Sequence, residues 1–347
     1  MRALHRIGSI VCLLLLSLLV VSCHDNDDPE PDPAAEYMSV TIISATNGLG
    51  DMTYNDDIMK EFMSFAWDHE YEDVESHVVA PTTKEQGAAA FRYWLAAATK
   101  PAKPKRLLVL ASSEYEAMLD TAHINLAEGN EILLLESRRD DMPEGVTCLD
   151  VNLYGVSYMV GRTLMTQERK RVVAVLACPG DKKLQEGLDG LRDGIADGSP
   201  DEGTLDVKYL ADDASGFAMA DSARVMANSF RKARDYDWVY PQCGGSALGF
   251  YSELLGLPSP IGMDVDCSEL GRNIPFSAYR KVGQVLHDVL TRWANGETLP
   301  RNISYGLADG YTGICNNSNK YKDWFSIASQ FTDEAINKEK AYVNEKH

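Results

Sequence analysis

The chain reads as an α/β protein with two doubly wound parallel-sheet domains, and three observations lead there. Short β-branched and leucine-rich runs recur along it, among them "SVTIIS" (39–44), "RLLVLA" (106–111) and "RVVAVLA" (171–177). Stretches with helical spacing separate these runs. The strand–helix series also runs through once to about residue 151 and then starts again, which gives two units of similar size. Strands that are apolar on both faces need cover on both sides, and helices connecting parallel strands supply it.

In the first unit, strands are expected at 39–44, 74–80, 106–111, 131–135 and 146–151. Behind "GLGDMTYND" (48–56), residues Ile58, Met59, Phe62, Met63 and Ala66 mark a helix; Asn55 is placed to cap it and Asp56 and Asp57 to suit its dipole. Thr83 and Gln86 have capping-box spacing ahead of "AAAFRYWLAAA", and another helix covers 114–127. In the second unit a helix at 154–167 leads to strand 171–177 and a helix over "KLQEGLDGLRDGI". Strand 205–211, helix 216–233, strand 237–241, a short helix after Gly245, strand 259–265, a long helix at 279–294 and a strand near "ISYGLA" follow. Ligands of open α/β sheets bind beyond the carboxyl ends of strands. The loops 48–55, 112–115, 178–181, 242–246 and 264–268 are therefore the candidate site.

Composition narrows the function. Of 347 residues, 45% are hydrophobic, enough for two cores, and 33 Lys plus Arg stand against 52 Asp plus Glu for a formal charge of −19. Such a field repels nucleic acid, and no basic stripe interrupts it. Arg2 and Arg6 precede "IVCLLLLSLLVVSC", a secretory-signal pattern too short and wrongly flanked for a membrane span. The "VVSC" ending is similar to a bacterial lipobox, with Cys23 acylated as the first mature residue after residues 1–22 are removed. Residues 23–37 are acidic and Pro-rich and read as a tether. The expected place is a bacterial envelope, lipid-anchored, with the outer membrane or surface favoured by the acidic run.

Past Cys12 and Cys23, five cysteines remain (148, 178, 243, 267 and 315) without C-x-x-C spacing, and they are read as buried free thiols, with one bridge left open. Seven scattered histidines include no H-x-x-x-H pair, so no metal site and no cofactor are expected. There is no G-x-S-x-G elbow, P-loop or Ser/His/Asp set, which argues against an enzyme.

Five segments in order carry a resemblance: "GLGDMTYND", "VLACPGDKKLQEGLDGLRDGI", "VYPQCGGSALG" (239–249), "IGMDVD" (261–266) and "GLADGY" (306–311). They resemble motifs of the basic membrane protein family, bacterial substrate-binding lipoproteins that include purine-nucleoside binders. The resemblance covers residues 38–315. It implies the type I periplasmic-binding-protein fold, two α/β domains with three hinge crossings and a cleft between them, here 38–151 plus 272–300 and 152–271 plus 301–347. The family commonly has an aromatic near Met59 and a Lys at Arg280, where "PFSAYRK" (275–281) also offers Lys281.

The resemblance, with the loop chemistry, implies ligand roles for Asp51, Tyr54, Asn55, Ser112, Phe217, Gly244, Gly245, Asp264 and Arg280. Tyr54 and Phe217 are candidate stacking faces for a heterocycle, with core packing the alternative for both. Asp264 is placed to accept from a vicinal diol, with turn-capping the alternative for it and for Asp266. Asp51 would accept from a base N–H or stabilise its own turn, and the paired glycines would bring backbone N–H groups to the sugar or make a tight turn. The expected role is capture of a nucleoside-like ligand by a monomer for an ABC-type transporter. The alternatives are a sensor on the same fold, a binder of another small polar ligand and, least supported, a nucleoside-hydrolase-like enzyme.

Overall fold

A computed structural model describes residues 37–46, 48–69, 74–121, 124–316 and 322–346. The expected signal segment, Cys23 and all but the last residue of the tether lie outside the described residues.

In the first lobe, β1 (Met38–Ile43), β2 (Val74–Val79), β3 (Arg106–Leu110), β4 (Asn130–Leu135) and β5 (Val146–Val151) alternate with α1 (Tyr54–Asp68), α2 (Lys84–Ala97) and the short α3 (Glu116–Thr121). The second lobe begins with α4 (Tyr154–Met165), β6 (Arg171–Leu176), α5 (Lys182–Gly198), β7 (Thr204–Tyr209), α6 (Ala220–Ala233), β8 (Trp238–Gln242) and α7 (Ala247–Glu253). It continues with β9 (Ser259–Pro260), β10 (Gly262–Asp264) and β11 (Phe276–Arg280). Then come α8 (Val282–Ala294), β12 (Asn302–Tyr305), β13 (Thr312–Asn316), α9 (Trp324–Ser329) and α10 (Thr332–Lys346).

The first sheet is parallel throughout, in the order β12-β5-β4-β3-β1-β2. The second lobe holds a parallel sheet β7-β6-β8-β9 and a small sheet β10-β11-β13, in which β11 and β13 are antiparallel. Val40, Ile42, Val109, Leu133 and Leu135 pack with α1 and α8 in one core, where Trp293 is fully buried. The opposite face of the first sheet packs with α2 and α3 in a second core, and strands β6 and β8 pack with α4 and α5 in a third. The expected α/β class with two doubly wound units is what the chain adopts.

Several local expectations are corrected. The strand expected at 259–265 divides between two sheets, β9 in one and β10 in the other. The helix expected from 279 begins at Val282, because Phe276–Arg280 is a strand that ends one residue before it; so short a segment does not declare its period. Strand β13 and helices α9 and α10 were not anticipated. The lobe boundaries shift accordingly: β12 hydrogen-bonds to β5 in the first sheet, although 301–347 was assigned to the second domain. Likewise β11 joins the second lobe, although 272–300 was assigned to the first.

The chain thus passes between lobes after Val151, after Arg280 and after Tyr305. Backbone bonds tie these crossings together, Asn152 N–H to Tyr305 O (2.8 Å) and Lys281 N–H to Tyr311 O (2.8 Å). Helices α4 and α5 lie almost backbone to backbone. A Cβ on Gly190 would stand 2.2 Å from the Tyr154 carbonyl oxygen, and one on Gly194 2.2 Å from that of Tyr158. The glycines of "KLQEGLDGLRDGI" therefore set how closely α5, with Lys183 and Glu186 in its first two turns, approaches the crossings.

All five cysteines in the described residues are free thiols, and only Cys315 is not fully buried. Among the described residues no helix is long and apolar enough to cross a membrane, and no group of three or more His, Cys, Asp or Glu is placed to hold a metal ion.

Candidate functional site

The carboxyl ends of the strands meet at one cavity of about 650 Å³, within the usual size range for small-molecule sites. The first lobe contributes the loop around Gly48–Asn55 with Ser112, Glu114 and Glu136; the second contributes Lys183, Phe217, Gln242, Gly244, Gly245 and Asp264. The structure places Asp51, Tyr54, Asn55, Ser112, Phe217, Gly244, Gly245, Asp264 and Arg280 all on its lining. Asp266 is not part of it; its carboxylate accepts from the Ser268 N–H (2.9 Å) on the surface. Lys281 turns away and sits over the Tyr279 ring, and Met59 packs into the first-lobe core.

The loop that opens α1 is built around Asp51. Its carboxylate accepts from the N–H groups of Thr53 (2.9 Å), Asn55 (3.0 Å) and Asp56 (3.2 Å), and from the Asn55 side-chain amide (2.9 Å). Asp51, rather than Asn55, therefore satisfies the helix N-terminus; α1 already begins at Tyr54, so Asn55 lies inside its first turn. Burial raises the Asp51 carboxyl pKa against these bonds. With four bonds accepted, Asp51 shapes the loop and has little acceptor capacity left. Ser112 also works locally, its hydroxyl accepting from the Glu114 N–H (3.2 Å).

Beneath the cavity lies a buried charge cluster. Arg280 donates Nε and Nη2 to Oδ1 of Asp264 (2.9 and 2.8 Å) and Nη1 to both oxygens of Glu136 (3.1 and 3.0 Å). Glu136 and Asp264 both hold left-handed backbone, at φ 59° and 68°, so two acids from opposite lobes adopt an uncommon conformation to face one guanidinium. Lys183 is hydrogen-bonded to Asp150, pairs with Glu186 at 2.7 Å and stands 3.8 Å from Glu136. Burial drives the Glu136 carboxyl upward, and Arg280 and Lys183 only partly restrain it. At Asp150 the same burial is overcome by Lys183 and Arg138, which hold the carboxyl below its usual range. For Arg280, burial opposes the charge, but Glu136 and Asp264 hold it firmly protonated.

Three polar groups at the cavity have unspent capacity. Oδ2 of Asp264 receives no hydrogen bond among the described residues. The Tyr54 hydroxyl is buried beside the Glu136 carboxylate without a well-formed hydrogen bond, while the Arg280 guanidinium covers its ring at 5.5 Å from the centroid. Burial first, and Glu136 second, push the Tyr54 hydroxyl pKa well up, so it stays a neutral donor. Both ends of the buried Gln242 amide likewise lack a well-formed hydrogen bond; the adjacent Tyr240 hydroxyl makes its short bond to Ser157 at 2.8 Å.

The glycine pair serves close approach. Gly244 holds φ 51°, and a Cβ on it would stand 3.1 Å from Cδ1 of Phe217, while a Cβ on Gly245 would stand 3.0 Å from the Asp51 Cβ across the cleft. Phe217, in a short turn at Ala214–Ala218, is partly buried against the second-lobe core while one part lines the cavity. Glu136, Lys183 and Gln242 were not singled out from the sequence. For Glu136 and Gln242 the signal was a charged or amide residue ending, or just following, an otherwise apolar strand, as in "EILLLE" and "VYPQ"; Lys183, in the first turn of α5, carried no such signal.

Solved structures share this architecture. A solute-binding protein of an ABC transporter system from Aeropyrum pernix K1 superposes with a TM-score of 0.67 at 14% identity, covering 89% of this chain and 90% of that one. A transcriptional activator of the comK gene from Bacillus halodurans gives 0.62 at 19% identity, covering 87% and 97%. A periplasmic ribose ABC transporter structure from Conexibacter woesei gives 0.57 at 10% identity, covering 87% and 95%. The chain has the periplasmic-binding-protein fold, type I, in which ABC solute-binding proteins occur. No family model matches it, and no curated protein matches it.

Proposed function

We propose that this protein is a lipid-anchored substrate-binding protein that closes on a purine-nucleoside-like ligand and passes it to an ABC-type transporter in a bacterial envelope. The observation that carries the reading is one cavity on which Tyr54 and Phe217, from opposite lobes, meet an Asp264 carboxylate with one oxygen still open. A flat ring suits the aromatic walls, and a ribose diol suits the free Oδ2. Among the described residues, the lining bases Arg280, Lys182 and Lys183 are each already paired with carboxylates, so a phosphate would compete with an acid for every cation. Nucleosides should therefore bind more tightly than free bases, free ribose or nucleotides.

Calorimetry with guanosine, inosine, adenosine and their 2′,3′-dideoxy forms tests this. Removing the hydroxyls leaves Asp264 short of its partners and should cost roughly 1–3 kcal/mol of binding. Dideoxy analogues binding as tightly as the parents would remove the sugar site. The anchor is tested separately: a fatty-acid analogue should label the wild type and leave Cys23→Ala unlabelled, and equal labelling would count against acylation at Cys23.

A further inference from the structure

We infer that Glu339, on the C-terminal helix, is a positioning residue for the cleft: its carboxylate pins two of the three interlobe crossings and so sets how the lobes close. The inference rests on the ligand-closure reading above only for its affinity arm. Glu339 lies far along the chain from every cavity residue, yet α10 brings it to the crossings. One oxygen accepts from the Gly155 N–H (3.0 Å), just past the first crossing, and the other from the Leu307 N–H (3.0 Å), inside the third.

The local sequence is shaped around this carboxylate. A Cβ on Gly155 would stand 2.4 Å from one Glu339 oxygen, and a Cβ on Gly306 2.1 Å from the other, so both crossings carry glycine where the acid seats. Tyr342, one turn further along α10, stacks on Tyr154 with ring centroids 4.3 Å apart and holds the helix in place. Glu186 takes the two preceding N–H groups, Leu153 (2.6 Å) and Tyr154 (3.1 Å). Three consecutive amides at the start of α4 are thus held by two carboxylates, and Glu186 passes the constraint through Lys183 to Glu136 and Arg280 under the cavity.

This clip has two strengths. Burial pushes the Glu339 carboxyl up to about 7 against the pull of the Leu307 and Gly155 N–H groups; Glu186 on α5 adds to the rise, and Lys183 on α5 opposes it. Asp309, in the third crossing, is turned to the Gly306 N–H (2.9 Å). Above that pH the ionised acid makes two charge-assisted bonds, and below it one oxygen carries a proton and accepts weakly. Closure is best defined when the acid is ionised.

The test uses the full chain without ligand first. The amide proton shifts of Gly155 and Leu307, followed from about pH 5 to about pH 9, should share an inflection near 7. In Glu339→Gln, which keeps one acceptor and never ionises, both inflections should vanish. Adenosine, which has no titrating group in this range, should then bind the wild type roughly five- to tenfold more tightly at the upper end, while the variant shows one weak, pH-independent affinity. Amides without a common inflection, or an unchanged inflection in the variant, would overturn the clip, and so would an affinity that ignores pH in the wild type. The wild-type titration decides even if the variant fails to fold. Titrating amides in a protein that binds no nucleoside would uphold the clip and remove the nucleoside reading instead.

Discussion

Replacing Arg280 with Met should lower the stability of the protein by about 3–5 kcal/mol, read as a fall in the urea midpoint at unchanged slope. The guanidinium is the shared partner of Glu136 and Asp264, and all three side chains are nearly inaccessible to water. Removing it leaves two buried carboxylates facing each other from opposite lobes, each already in left-handed backbone. The penalty comes from stranding those charges more than from losing a favourable pair. The triple variant Glu136→Gln, Asp264→Asn, Arg280→Met should therefore be more stable than the single one. A single variant within about 0.5 kcal/mol of wild type would mean that water reaches the cluster and the lobes do not close over it as described.

The second large effect should come from Gly194→Val. Any Cβ there would lie 2.2 Å from the Tyr158 carbonyl oxygen, a backbone atom that moves only if helix α4 moves. Overpacking of this kind costs about 1–3 kcal/mol and sometimes more; with backbone on both sides the upper end is expected. Because α5 carries Lys183 and Glu186, the variant should also bind ligand more weakly at temperatures where it is still folded. Gly256→Ala, where no atom lies within 4 Å of the added Cβ, is the matched control and should sit within about 0.5 kcal/mol of wild type. Equal thermal midpoints for the Gly194 and Gly256 variants would contradict the close helix packing.

Much of this architecture is written in local periodicity. Strands β1, β3, β5 and β6 are short apolar runs bounded by turn residues, and they fall within a residue or so of where the pattern puts them. Periodicity gave no warning at β11, because its five residues are mixed in polarity and only Lys281 separates them from α8, or at the division between β9 and β10, where one run serves two sheets. Those choices depend on which lobe each strand joins, and pairing across the chain decides that. The site shows the same division. Loops after strands identified the lining residues, but the sequence could not show that Asp51 spends itself on its own loop. Nor could it show that Arg280 is already held by Glu136, an acid 144 positions away. Partners brought together by topology leave no mark in local spacing.

The passage of β12 into the first sheet has a consequence for how the protein is made. The first lobe acquires its last strand, and the helix carrying Trp293, only after the second lobe has been synthesised as far as β11. Until then β5, whose residues are all buried in the finished molecule, would present a bare apolar edge ready to pair with another chain. The two lobes cannot mature one after the other as independent beads; the first must wait, unfinished, for its closing strand. A chain of this design gains from being kept unfolded until it is complete, as a polypeptide threaded across a membrane before folding would be.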